Sequence, residues 1–512
     1  MIAFISGLVL LTGGYFIYGR LTQSAVRPDP ARPTPALSRA DGVDYVAMPT
    51  WRVYLIQLLN IAGLGPVFGP ILGALWGPQV FLWVVFGCIL GGAVHDFLIG
   101  AMSIRNDGAG LPDLIGHYLG TGARHFATFF ILLLMLLVGT VFVKGPALLI
   151  VELLPAETVG SLFGSGATEW LNTSVFGLSV WMWTVMLVIY IYYILATLLA
   201  IDTIIGRFYP FFALALLVMV AGLGLALLTG RISAVPFTLD NLHPKHLPAW
   251  PLIFITVSCG AVSGFHATQS PLMARCLKSE KRMRLVFYGA MIAEGVIALI
   301  WSATALGFYN GIEGLSAALA KGGPGAVVRD ACVATMGMAG GALAVLGVVV
   351  LPITSGDTAF RVGRLILADY FHVPQKRLLN RYILVVPLFV LSFALNFVNF
   401  DVVWRYFGWA NQTLAAVALW CAAVFLARRH SRWWLAFIPA VFMTVVTTTY
   451  ILVEAVGFGL EPRVGTILGV AIGAVCAAFF LWRRSKLAPE EDKPAMVAQP
   501  TETERSTDSL AC

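Results

Sequence analysis

The sequence predicts an all-α polytopic membrane protein of about thirteen transmembrane helices, because its apolar runs recur near the length that spans a bilayer. Three observations carry this. Hydrophobic residues make up 59% of the 512 positions and charged residues only 12%, against about a quarter charged in soluble domains. The apolar runs fall at 2–19, 54–77, 79–104, 126–152, 177–201, 207–229, 252–270, 285–308, 333–355, 382–398, 403–427, 433–457 and 464–482. The second and seventh of them are interrupted by Gly and Pro, which a continuous helix disfavours.

The elements follow in order. No basic residue precedes the first run and Arg20 follows it, so it reads as a retained helix rather than a secretory signal. The Pro-rich stretch 28–35 reads as an extended linker, within an N-terminal segment 1–53. Lys and Arg concentrate at 20–52, 275–284, 361–381, 428–432 and beyond 482, and are sparse in the alternate loops. That asymmetry predicts the N-terminus outside and the C-terminus inside. The polar tail 486–512 is expected to be disordered. Seven cysteines without a C-x-x-C pair speak against a disulfide scaffold, and the net charge of +7 is assigned to cytoplasmic loops rather than to nucleic acid.

The interruptions read NIAGLGPVFGP at 60–70 and SCGAVSGFHATQSP at 258–271. Irregular backbone at membrane depth is tolerated only where it is buried in protein or lines a watery cavity. Four spans separate the two broken ones, so spans two to six (54–229) and seven to eleven (252–427) form units of five with opposite polarity. Each unit opens with its broken helix, the arrangement of a five-plus-five inverted-repeat transporter. One span precedes the repeat and two, at 433–482, follow it. Broken-helix N-termini suit a carboxylate, and unwound carbonyls suit a small cation. Gly63, Gly65, Pro66 and Gly69 in the first break, with Gly260, Ser263, Gly264, His266, Thr268 and Gln269 in the second, are therefore the expected substrate-binding residues. The other reading of the glycines is helix packing.

At these breaks the residues resemble a known family. The strings IAGLGPVFGPILGALWGP, GGAVHDF, SIRNDGAGLPDLIGHYLG, SGFHATQSPLMARC, VFYGAMIAEGVIALIW, LPITSGDTAFR and WRYFGWANQTLA are similar to the carbon-starvation protein A (CstA) family of membrane transporters. The resemblance implies a LeuT-like fold and uptake of small nutrients, peptides or pyruvate, during carbon limitation. Larger members of that family carry a His pair just ahead of the first break, where this chain has Ile56 and Gln57. The LeuT-like resemblance also implies a cation site between the first broken helix and hydroxyls of the ninth span, here Thr354 and Ser355, with Asp357 beside them. Capping of the end of that span is the other reading.

Ionisable residues within spans default to a functional hypothesis. His95 and Asp96 in the third span read either as a proton relay or as an interfacial lock. His266, in the second break, reads as a titratable carboxylate ligand or a cap on freed carbonyls. Glu294, mid-span in the eighth, reads as a proton-coupling group or a structural hydrogen-bond partner. Lys144 reads as snorkelling or as neutralising a buried acid. Trp404, Arg405, Asn411 and Gln412 read as pathway lining or interface anchors. No second His or Cys stands at metal-ligand spacing from His266, so neither metal nor cofactor is expected.

These readings converge on a secondary active transporter importing small carboxylate-bearing nutrients across the cytoplasmic membrane of a prokaryote, coupled to H⁺ or Na⁺. No phosphate-binding loop for a nucleotide is present. A membrane-embedded hydrolase, a nutrient sensor without transport and a passive channel are the alternatives. The hydrolase lacks a nucleophile–base motif.

Overall fold

The structure is a computed structural model that describes residues 1–490 except 43, 199–200, 234 and 376. Apolar runs in a bilayer must satisfy their own backbone hydrogen bonds, and the described chain is helical almost throughout, with one small hairpin pairing Ser174–Val175 with Leu178–Ser179. Among the described residues ten helices are long and apolar enough to cross a membrane. They are Ile2–Val26, Val80–Arg105, Thr121–Leu153, Phe211–Leu228, Glu280–Phe308, Ile312–Ala344, Leu378–Leu395, Phe400–Arg428, Trp434–Val453 and Pro462–Arg484. The expected fifth span is a shorter apolar helix, Val180–Ala196.

The second and seventh runs are broken where their Gly and Pro fall. Thr50–Ile61 and Gly65–Trp76 meet at a bend of 46°. The seventh run is helical only at Leu252–Thr256 and again at His266–Ala274, with irregular backbone at 257–265 between them. The second segment lies against the helix Ala93–Arg105, and the helix Ala290–Phe308 packs on both halves of the first.

Four expectations need correction. The first helix runs to Val26, not residue 19, because Tyr18–Val26 buries Gly19, Thr22, Ala25 and Val26 and Gly19 packs beneath the Tyr288 ring. The ninth span does not end at Thr354, Ser355, Gly356 and Asp357. These four lie inside Leu351–Tyr370, where the buried Asp357 carboxylate is 3.5 Å from Arg361 one turn later, so the helix continues past the polar residues. The preceding Ile312–Ala344 is kinked instead at Gly323 and Gly337, with φ of 65° and 63°. The linker at 28–35 is docked rather than free: Thr34 is fully buried and the Asp29 N–H donates to Glu280 Oε2 at 2.7 Å. The start of the tail also packs, with Glu490 accepting from Tyr118 Oη at 2.7 Å and standing 3.7 Å from Arg428. The rest of the expected disordered tail, 491–512, lies outside the described residues.

One buried ion pair joins these parts on the basic face. Arg105, at the end of its helix, grips Glu280 with Nε to Oε1 and Nη2 to Oε2, both at 2.8 Å. Its Nη2 also donates to Arg27 O at 3.2 Å. The N-terminal linker, the third span and the loop after the second broken helix are thereby fastened to each other. Removing one partner of such a pair leaves the other charged and buried, costing about 3–5 kcal/mol. Glu280→Gln is therefore expected to lower Tm clearly in a detergent thermal-unfolding assay, and Arg105→Met with Glu280→Leu to recover part of the loss. An unchanged Tm for Glu280→Gln would show that the pair contributes nothing.

Candidate functional site

The irregular segment 257–265 is held by close approach of backbone from its neighbours. A Cβ built on Gly65, in the first broken helix, would land on Cys259, and one on Gly69 would stand 2.9 Å from Thr256 O. A Cβ on Gly92 would run into Ala261 O, and one on Gly264 into Asn411 O. Gly260 has φ of 89°, a conformation that costs other residues free energy. The two breaks therefore touch along their unwound stretch, and Pro66 also lies near Gly260.

Freed backbone groups need partners, and side chains of adjacent helices supply them. Asn411 Oδ1 accepts from Phe265 N at 2.7 Å and from Ser263 Oγ at 3.2 Å. Gly264 N donates to Asn411 O at 3.2 Å. Gln412 Nε2 donates to Phe254 O at 2.7 Å, and Trp83 Nε1 donates to Val257 O at 2.8 Å. Asn411 and Gln412, read from the sequence as pathway lining or anchors, thus act as fasteners of the second break.

Onto this frame converge four ionisable side chains, each with no exposure to solvent. Asp96 Oδ1 lies 2.8 Å from His95 Nδ1, and its Oδ2 lies 3.0 Å from His266 Nδ1. The second nitrogen of His266 is 3.4 Å from Glu294 Oε2. His95–Asp96–His266–Glu294 therefore form one line from the third span, through the second break, to the eighth. The two outer helices share a local feature: a wider π-helical stretch precedes each acid, Trp83–Gly92 before Asp96 and Arg284–Gly289 before Glu294. Such stretches recur at functional sites because they reset the phase of one helix face.

Other expected site residues distribute around this line. Gly63 faces the Ser355 hydroxyl, which a Cβ on that glycine would approach to 3.7 Å. The first break and the ninth span do meet there, and Ser355 is not a helix cap. The Thr354 side chain lies outside the described residues. Asp357 belongs elsewhere, with Arg361, whose Nη2 donates to Ala196 O at 3.0 Å. Thr268 Oγ1 donates to Phe265 O at 2.7 Å and accepts from Gln269 Nε2 at 3.0 Å. Gln57 Nε2 is 3.4 Å from Ser270 Oγ, linking the broken helices beyond their breaks. Lys144 neither snorkels nor meets an acid at bonding distance: its Nζ donates to Asn396 O and Val398 O, both at 3.0 Å, just past the C-terminus of Leu378–Leu395 where free carbonyls attract a cation. Trp404 packs on Phe68 of the first broken helix, and Arg405 pairs with Glu454 at 3.3 Å.

Sequence reasoning passed over Cys259. It reads as one apolar residue among many, yet its sulfur, His266 and Glu294 present ligand atoms within 4.8 Å of one another. Spacing along the chain did not reveal this, because Glu294 arrives from another helix. The only local signal was a thiol at the mouth of the break.

Two cavities approach the breaks from opposite ends. One of about 320 Å³ is lined by Thr268, Pro271, Arg124, Thr128, Arg275 and Asp369, among others. Another of about 500 Å³ includes Phe68, Leu148, Val151, Glu152, Lys321 and Asp401. Arg124 and Glu152 belong to one helix, Thr121–Leu153, which at 1.5 Å per residue separates them by roughly 40 Å. The buried acid–histidine line lies in neither cavity wall.

Residues 1–163, 143–339 and 309–450 match the family described as carbon starvation protein CstA. A Haemophilus influenzae protein named as an uncharacterized membrane protein is 43% identical over 354 residues, covering 63% of this chain and 95% of that one. The peptide transporter CstA of Escherichia coli is 26% identical over 565 residues, covering 85% of this chain and 78% of its own length. The pyruvate/proton symporter BtsT of the same organism is 29% identical over 334 residues, which cover 56% of this chain and 46% of BtsT; the chain thus spans about half of that relative.

The contact between the breaks is testable by a double-mutant cycle. Gly65 has ordinary helical φ, so alanine is allowed by its backbone, and the added methyl meets only Cys259. Overpacking of this kind costs about 1–3 kcal/mol. Gly65→Ala should lower Tm, and adding Cys259→Gly, which removes both the Cβ and the Sγ that the new methyl meets, should restore part of the loss. Strictly additive effects would mean that the two residues do not touch.

Proposed function

We propose that this chain, which belongs to the carbon starvation protein CstA family and is a multi-pass transporter of the bacterial cell membrane, imports small carboxylate-bearing nutrients by proton-coupled alternating access. The peptide and pyruvate transporters among its relatives support that substrate class, and those relatives are transporters rather than enzymes. The observation that carries the coupling is the buried line His95–Asp96–His266–Glu294. In this reading it joins the two repeat units at the edge of the irregular backbone, where the helix His266–Ala274 begins. A histidine held between two carboxylates has a nitrogen facing each, so it can take a proton from one side and give it to the other. A change in its charge alters which carboxylate it pairs with, and therefore how the second break sits against the third and eighth spans.

In this reading the five-plus-five LeuT-like units are 54–229 and 252–427, flanked by the N-terminal helix and two C-terminal helices, with the N-terminus outside and the C-terminus inside. The cavities at either end become inner and outer vestibules, and the touching breaks are the barrier between them. The substrate carboxylate meets the N-terminal ends of the broken helices near Gly65, Pro66, Gly69, Gly264, Thr268 and Gln269, where the helix dipole concentrates positive potential. A sodium-coupled reading has one observation in its favour, the approach of Ser355 to Gly63, where hydroxyl and carbonyl oxygens suit a hard cation.

Uptake into proteoliposomes separates these readings. Labelled pyruvate and di- or tripeptides are offered under an imposed proton gradient, an imposed sodium gradient, or neither. Accumulation driven by protons and reduced more than tenfold in Asp96→Asn and Glu294→Gln is the expected result. Accumulation under sodium alone would transfer the coupling to the Gly63–Ser355 region. Uptake of neither substrate class under either gradient would overturn the proposal.

A further inference from the structure

At the second break, Cys259 adds to His266 and Glu294 a donor that proton transfer does not require. Cys259, His266 and Glu294 are buried, and one ligand atom from each lies within 4.8 Å of the others. His266 Nε2 is 3.4 Å from Glu294 Oε2, close to the roughly 3.3 Å edge of a tetrahedron built on zinc bonds of about 2.0–2.1 Å. His266 Nε2 meets Glu294 Oε2 only as this 3.4 Å pair, without good hydrogen-bond geometry. A cation between two such buried polar atoms would satisfy both. Behind them, His266 Nδ1 is 3.0 Å from Asp96, which is itself held by His95. A carboxylate on the far nitrogen of an imidazole is the arrangement that orients metal-binding histidines and raises their basicity.

The geometry points to a transition-metal site formed by the Cys259 thiolate, the His266 imidazole and the Glu294 carboxylate, for an ion of the zinc class. One sulfur, one nitrogen and one oxygen match a borderline-soft divalent ion, whereas Na⁺ and Mg²⁺ select oxygen alone. Three protein ligands leave a fourth position for water or an anionic oxygen. Bound there, the ion cross-links the irregular backbone to the eighth span and occupies the nitrogen through which His266 meets Glu294. The inference uses the same His266 as the transport reading but does not depend on transport occurring.

The test is titration of tag-free, full-length protein in detergent with Co²⁺. One equivalent should bind with a thiolate-to-cobalt charge-transfer absorption that Zn²⁺ displaces. Cys259→Ser should abolish that absorption, and Asp96→Asn should weaken affinity by about 10–100-fold, as loss of an orienting carboxylate does elsewhere. Cys88→Ser, whose sulfur contacts Met291 O on the neighbouring helix, should retain it. If Cys259→Ser fails to fold, zinc-edge X-ray absorption of the wild type decides the same point: one sulfur among nitrogen and oxygen neighbours supports the site. No charge-transfer band in the wild type, a band persisting in Cys259→Ser, or a sulfur-free zinc environment would overturn it. Uptake measured separately in chelated buffer keeps the two proposals apart, because it succeeds or fails without metal.

Discussion

Asp96 is the group around which the interior is arranged. A carboxylate at membrane depth costs about 2.5–3.5 kcal/mol on insertion scales, and this one has no access to solvent. Its two oxygens are used by two imidazoles, one from the adjacent residue and one from the second break. The bond to His266 ties one helix to the first residue of another, His266–Ala274, where the irregular backbone of 257–265 ends. That tie locates the break against the third span, and the break in turn presents His266 to Glu294 on the eighth.

The same constraint explains the polar fasteners around it. Irregular backbone within a bilayer must find its hydrogen bonds in neighbouring side chains. Asn411, Gln412 and Trp83 each bond to the backbone of the second broken segment, and glycines at 69, 92 and 264 let neighbouring backbone come near enough. Small residues permit the approach, and amide and indole side chains then satisfy what the approach exposes. Lys144 performs a related task at the end of another helix, where its ammonium meets two carbonyls.

Much of this was legible along the chain. The interruptions at 60–70 and 258–271 are where helices are broken, because Gly and Pro act locally on backbone dihedrals and hydrogen bonds. His95, Asp96, His266 and Glu294 stood out singly, because an ionisable residue within an apolar run is conspicuous. Their mutual pairing was not legible: Asp96 and His266 are 170 positions apart, and the distance between them depends on how three helices pack. The end of the ninth span was misread for a related reason. Asp357 resembles the end of an apolar run until Arg361, one turn away and also buried, partners it.

By itself the sequence determined the membrane class, the positions of the breaks and the inventory of buried ionisable groups. These depend on hydrophobicity and backbone chemistry, which act within a single segment. Tertiary structure alone decided that the breaks touch, that Asp96 divides its oxygens between two histidines, and that Cys259 joins His266 and Glu294. Those facts depend on contacts between segments far apart in sequence, where a few ångströms separate a hydrogen bond from no interaction. No periodicity along a chain encodes that distance.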